Sequence, residues 1–530
     1  LANYSLGYAH FQLKEYESAS IAFRKFLASN SADTTRIHDA FVRTGDCFFI
    51  RKEYLLAIDF YEKAIQMTGQ NQVDYALYQY AMASGLLGNT EQKLTSLKRF
   101  ETEFAKSEFT DATLYELGRI YLSKNENAKA ISYFEKVSAN YPNSPYKRRS
   151  DISLAQIYYN KGQNDKALVL FKKVIEENPT YQASREAIRG IENIYKEDGR
   201  IDLYEEYVKS LGFMNISNGS LDSLTYEAAE LPYIANNCES ASKAFKAYLL
   251  KFDAPIFYLN ANFYLAECLL KAGSKEEALE YYTNIINQPS NNFSESALDR
   301  SSAIVFAKGN YSEAARQYKE LGRIAQFPET KRKAIVGEMR SLYLNNQINE
   351  ASTLAKEVEK LEVEKSVLVL ALYIQARAMH LNNDWNNAIR AYRIVSDTTQ
   401  SERSAEAEYR IAEILYHLQI ADSAENQVFK LINHTPTYDK WLAKGLMLLS
   451  DIYILKNDDF QAKATLESVI ENFKGDESIL KQAEEKLEAL KQKNEKQAAP
   501  DSKPIEINMG LDEDEYESMF EDEMDLEDNF

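Results

Sequence analysis

The side chains best suited to chemistry lie scattered along this chain of 530 residues. Its five histidines, His10, His38, His380, His417 and His434, form no His-x-x-x-His pair, and none stands beside a cysteine. A zinc site on a helix needs ligands on one face at such a spacing, so none is predicted. Cys47, Cys238 and Cys268 are far apart and also lack ligand-like spacing. No glycine-rich phosphate loop, nucleophile elbow or kinase signature occurs. The 81 Asp and Glu residues guarantee chance neighbours, so paired carboxylates carry no weight as an acid–base signal. We therefore expect no catalytic residue, no metal and no cofactor. The chain reads as one that binds rather than reacts.

What recurs is a spacing of packing residues. The series Ala19, Ala57, Lys93, Ala130, Ala167, Tyr204, Ala241, Ala278, Ala314, Ala351, Ala388, Ala424, Ala462 advances by 36 to 38 positions, and eleven of these thirteen residues are Ala. An aromatic or apolar residue usually follows four positions later, as Phe134 follows Ala130 and Phe171 follows Ala167. Around each small residue the apolar positions recur at i, i+3, i+4 and i+7, interrupted by a polar stretch such as Ser123–Asn127. Each unit is thus two short amphipathic helices joined by a turn. A fixed period of this kind predicts a solenoid whose units pack on their neighbours. Small residues let the paired backbones approach, and Pro142 and Pro179 end second helices.

Leu117-Gly118 with Tyr121, then Ala130, Phe134 and Pro142, resembles the tetratricopeptide repeat, whose usual unit is 34 residues. Gly7 and Gly45, with Phe23 and Tyr61, extend the likeness to the N-terminus, and it covers residues 1–475. The resemblance implies an all-α solenoid of about thirteen helix pairs wound as a right-handed superhelix. At Lys93 and Tyr204 a large residue replaces the small one, and looser packing is expected there. The loop Tyr141-Pro142-Asn143-Ser144-Pro145-Tyr146 resembles loops of bacterial envelope repeat proteins, including outer-membrane assembly lipoproteins and the periplasmic coordinator of the Tol-Pal system. The whole arrangement resembles large repeat proteins of the Bacteroidetes.

The family resemblance also implies where a partner would lie, because the first helix of each tetratricopeptide unit lines a concave groove. Positions three before, one after and four after the small Gly/Ala residue of that helix face inward. They give an aromatic ladder that includes Tyr78, Tyr115, Tyr159, Tyr226, Phe263, Tyr343, Tyr373, Tyr409 and Tyr416. Packing between helices is the competing role for these rings. Arg340 and Arg377, one repeat apart, would form an anion-accepting step. The Asn of the chaperone-tail carboxylate clamp is replaced by Tyr8, Asp46 and Arg119.

Composition sets the remaining bounds. Hydrophobic residues at 45% and charged residues at 27% suit a globular or repeat protein rather than a disordered one. No apolar run is long enough to span a membrane. Leu1 already falls inside a repeat helix, so a fragment or processed chain is expected. The polar stretch from Gly212 to Ser223 predicts a linker (212–223) between an N-terminal array (1–211) and a C-terminal array (224–475). Residues 476–496 read as a capping helix, with Ile479, Leu480, Ala483, Leu487 and Leu490 on one face. Residues 497–530 hold 13 acidic residues against one Lys and read as a disordered tail. Within it Tyr516, Met519, Phe520 and Met524 would form one stripe of a helix docked on a partner. The acidic tail and a net charge of −19 argue against nucleic-acid binding.

These features predict a non-catalytic scaffold for proteins or peptides, in the bacterial periplasm or on the periplasmic face of the outer membrane, among outer-membrane or periplasmic assembly partners. Two other readings are a cytoplasmic adaptor held inactive by its own acidic tail and a periplasmic protein that binds peptidoglycan or another glycan.

Overall fold

The computed structural model describes residues 1–498, apart from Asn30 and Thr68, with only the backbone for 494–498. The acidic tail from residue 499, with the expected docking motif Tyr516, Met519, Phe520 and Met524, lies outside the described residues. The described residues form 27 α-helices, thirteen pairs and one more. They fall into two compact units, one running from Leu1 to Phe257 and one beginning at Tyr258.

The first unit begins with α1 (Ala2–Gln12) and α2 (Tyr16–Leu27), α3 (Thr34–Ile50) and α4 (Tyr54–Gln66), and α5 (Val73–Leu86) and α6 (Thr90–Glu103). It continues with α7 (Thr110–Ser123) and α8 (Asn127–Asn140), then α9 (Lys147–Asn160) and α10 (Asn164–Glu177). Its last pairs are α11 (Tyr181–Glu197) with α12 (Ile201–Leu211) and α13 (Asn218–Ile234) with α14 (Cys238–Lys251). The second unit holds α15 (Tyr258–Lys271) and α16 (Lys275–Ile286), α17 (Ser294–Ala307) and α18 (Tyr311–Ile324), and α19 (Pro328–Leu344) and α20 (Ile348–Val358). There follow α21 (Lys365–Leu381), α22 (Trp385–Thr398), α23 (Glu402–His417), α24 (Ala421–Ile432), α25 (Asp439–Leu455) and α26 (Asp459–Asn472). The last helix is α27 (Glu477–Ala498).

One local device makes every pair. The turn inside each pair carries a left-handed residue, from Lys14, Lys52 and Gly88 through Asn125 and Gly162 to Asn346, Asn383, Gln419 and Asn457. The next backbone N–H then reaches back to a carbonyl of the first helix, as Glu126 N does to Tyr121 O at 2.9 Å and Gln347 N to Leu342 O at 2.8 Å. This closure satisfies carbonyls that the helix end would leave unpaired and reverses the chain.

The pair then closes on its small residues. All eleven Ala of the series are fully buried on the second helices. Opposite them, an ideal Cβ on Gly118 would lie 2.6 Å from the Phe134 ring, so only glycine admits that approach. The expected looseness at Lys93 is answered by Gly85 on the facing helix, where an added Cβ would meet the Lys93 stem at 2.6 Å. Lys93 Nζ then reaches Glu116 on α7 at 2.5 Å. Tyr204 is buried, and its hydroxyl donates to Glu192 at 2.8 Å.

On α27, Ile479, Ala483, Leu487 and Leu490 are buried, the first three in one cluster with Met447, Leu466 and Val469. Residues 213–217 link α12 to α13, and Phe213, Met214 and Ile216 pack against the core of α10–α12.

Candidate partner-binding surface

Within each unit the odd-numbered helices approach one another: α1 and α3, α9 and α11, α17 and α19, α23 and α25. Successive even-numbered helices do not approach as closely. The odd helices therefore form the more crowded inner layer, and polar links run along it. Tyr4 and Tyr8 of α1 both donate to Asp39 of α3, at 2.8 and 2.7 Å. Lys196 of α11 meets Glu227 of α13 at 3.0 Å, and Lys486 of α27 meets Asp451 of α25 at 2.5 Å.

The ladder rings sit in this layer, and many of them clasp the next repeat. Tyr78 stacks on Phe109 at 5.5 Å, Tyr115 lies 5.2 Å from Tyr146, and Tyr226 stacks on Phe257 at 4.3 Å. Phe263 stacks on Phe293 at 4.7 Å, and Tyr409 meets Trp441 at 5.6 Å. Each partner ring stands at the start of the following odd helix or just before it. Tyr146, the last residue of the Tyr-Pro-Asn-Ser-Pro-Tyr loop, is one of these partners. Tyr159 is half-buried and donates to Glu197 of α11, while burial pushes its hydroxyl up to about 12. Tyr416 is half-buried, and burial followed by the charge of Asp451 raises its pKa.

The second unit places Tyr343, Tyr373 and Tyr409 of the ladder among buried and half-buried charged groups. Arg377 donates to the Tyr343 hydroxyl at 3.5 Å, and Tyr373 donates to Glu406 at 2.5 Å. Arg410 joins Glu406 at 3.5 Å and Glu413 at 3.1 Å, and its guanidinium lies over Tyr409 and Trp441. Tyr343, Tyr373 and Arg377 are buried, whereas Arg340 on α19 is half-buried. Burial holds His380 down to about 4, with Glu413 opposing and Arg410, His417 and Arg377 reinforcing the shift. Arg410 is central here, and sequence reasoning missed it. Its signal was present in the spacing of Glu406, Arg410 and Glu413, which puts both acids within reach along one helix. The first unit has a matching network, also unforeseen, in which Asp46 accepts from Tyr61, Tyr75 and Arg43 at 2.8, 2.9 and 2.7 Å.

Among the described residues no group of three His, Cys, Asp or Glu side chains could hold a metal ion, and no helix is long and apolar enough to cross a membrane.

The family comparisons meet this geometry directly. Residues 4–71 and 226–292 match the tetratricopeptide-repeat model. Those two stretches are tetratricopeptide repeats. Residues 107–204, which span α7 to α11 and the start of α12, match the model of YfiO, an outer membrane lipoprotein. No curated protein matches the sequence. Solved structures similar to this chain include YrrB, a TPR protein with an unusual peptide-binding site. It shares 20% identity over 35% of this chain and 90% of its own, with a TM-score of 0.29. A tetratricopeptide repeat protein from Parabacteroides merdae is 16% identical over 51% of this chain and 100% of its own, TM-score 0.27. Yeast Tom70 is 16% identical over 94% of this chain and 97% of its own, TM-score 0.30.

Proposed function

We propose that this chain is a non-catalytic scaffold that holds protein partners against its odd-helix layer within a bacterial envelope assembly. One observation carries the reading: a region matching an outer membrane lipoprotein family sits inside an array of tetratricopeptide pairs. Tetratricopeptide arrays work by presenting surface rather than by chemistry, and the long stacked layer suits that task. The contacts would come from the half-buried rings Tyr78, Tyr115, Tyr159, Phe263, Tyr409 and Tyr416. Of the expected anion-accepting pair, half-buried Arg340 would meet a partner's anion, while Arg377 is buried and donates to Tyr343. The buried faces of the same rings clasp neighbouring repeats, so partner recognition and array stiffness share side chains.

In-cell crosslinking and mass spectrometry in the native organism test this, comparing the full chain with one lacking 497–530. Outer-membrane barrels or envelope lipoproteins crosslinked to odd helices are the expected result. Cytosolic partners that strengthen on tail removal would replace the envelope reading with a self-inhibited adaptor.

A further inference from the structure

Five arginines stand on the odd helices of the region that resembles an outer membrane lipoprotein. Arg119 on α7 is 58% exposed and is tied to Glu116 at 3.0 Å. Arg148 and Arg149 on α9, with Arg185 and Arg189 on α11, are exposed and make no hydrogen bond or ion pair among the described residues. Arg185 and Arg189 stand one turn apart, with Glu186 and Glu192 three residues either side of Arg189. Charged groups on the three helices act on one ring, that of Tyr115. Burial raises the Tyr115 hydroxyl, Arg119 and Arg149 pull it back, and Glu116 and Glu186 add to the rise. Tyr146 flanks that ring at 5.2 Å. Glu116 is itself buried between Lys93 and Arg119, which leaves Glu186 as the exposed acid among these groups.

We propose that the face formed by Arg119, Arg148, Arg149, Arg185 and Arg189 around Tyr115 and Tyr146 binds an extended acidic segment of a partner protein. Guanidinium groups fork carboxylates in two hydrogen bonds, and exposed arginines at this spacing can each take one. The paired tyrosines give an apolar contact for an aromatic or aliphatic side chain between the acids. Glu186, set among the arginines, favours carboxylates spaced along a chain over an unbroken rail of phosphates. The inference rests on reading the odd-helix layer as the partner surface and adds the partner's chemistry.

The test uses the full chain and its Arg148→Glu/Arg185→Glu variant, with thermal unfolding expected to be unchanged because both side chains are exposed and unpaired. The probe is a fluorescein-labelled peptide of alternating glutamate and tyrosine, read by anisotropy, beside the same peptide with glutamine for glutamate. The acidic peptide should bind the full chain, and the double variant should bind it roughly tenfold or more weakly. The glutamine peptide should bind neither. Equal binding by the double variant, or by the glutamine peptide, overturns the inference. So does binding of phosphatidylglycerol vesicles without binding of the acidic peptide, which would make the face a lipid site. If the double variant still captures the native envelope partners, the scaffold reading stands and this inference falls.

Discussion

His380 shows how the array changes a single residue. It sits on an inner helix beside Arg377, Arg410 and Glu413, and its pKa falls from the ordinary 6.5 to about 4. Burial removes the water that would solvate an imidazolium, and the net positive surroundings deepen the effect. The folded chain therefore binds fewer protons than the unfolded chain between these two values. His380 contributes stability that is fully present above about 6.5 and is lost as the pH falls through about 4. We expect its imidazole to titrate near pH 4 by NMR, and a midpoint near 6.5 would show that the network around Arg410 is open. Other residues were readable without the structure. The buried Ala series was legible because a backbone crossing at fixed intervals tolerates only small side chains. Lys93 was misjudged as a loose spot, since the glycine that makes room for it, Gly85, lies on the other helix of the pair.

At the scale of the element, two devices repeat. The left-handed turn closes each pair, and its Gly or Asn is visible in most units, although Lys14, Lys52 and Gln419 do the same work less visibly. The aromatic clasp joins one pair to the next. A double-mutant cycle of Tyr115→Leu and Tyr146→Leu, read by urea unfolding, should give a coupling of about 0.5–1.5 kcal/mol. Additive effects would mean the two rings are neighbours without being partners. The ladder was legible as a set of positions, yet its division of labour was not. A tyrosine three residues before the small position looks the same in sequence whether it faces a partner or the next repeat. Only the placement of Phe109, Tyr146, Phe257, Phe293 and Trp441 distinguishes these uses.

For the whole molecule, the sequence predicts a joint at 212–223, and we retain that division as a proposal. Limited proteolysis tests it: first cleavage within 212–217 supports the joint, whereas first cleavage near 253–257, where the first compact unit ends, removes it. Phe213, Met214 and Ile216 pack on the core, so cleavage there requires local opening. The sequence by itself determined the helix pairs, their number and the closing helix, because a solenoid repeats one local solution and each copy adds to the signal. Tertiary structure alone decided which side chains share a surface. Arg119, Arg148, Arg149, Arg185 and Arg189 are spread over three helices and look ordinary in the sequence. They become one basic face because successive inner helices stand side by side, an arrangement set by packing between repeats.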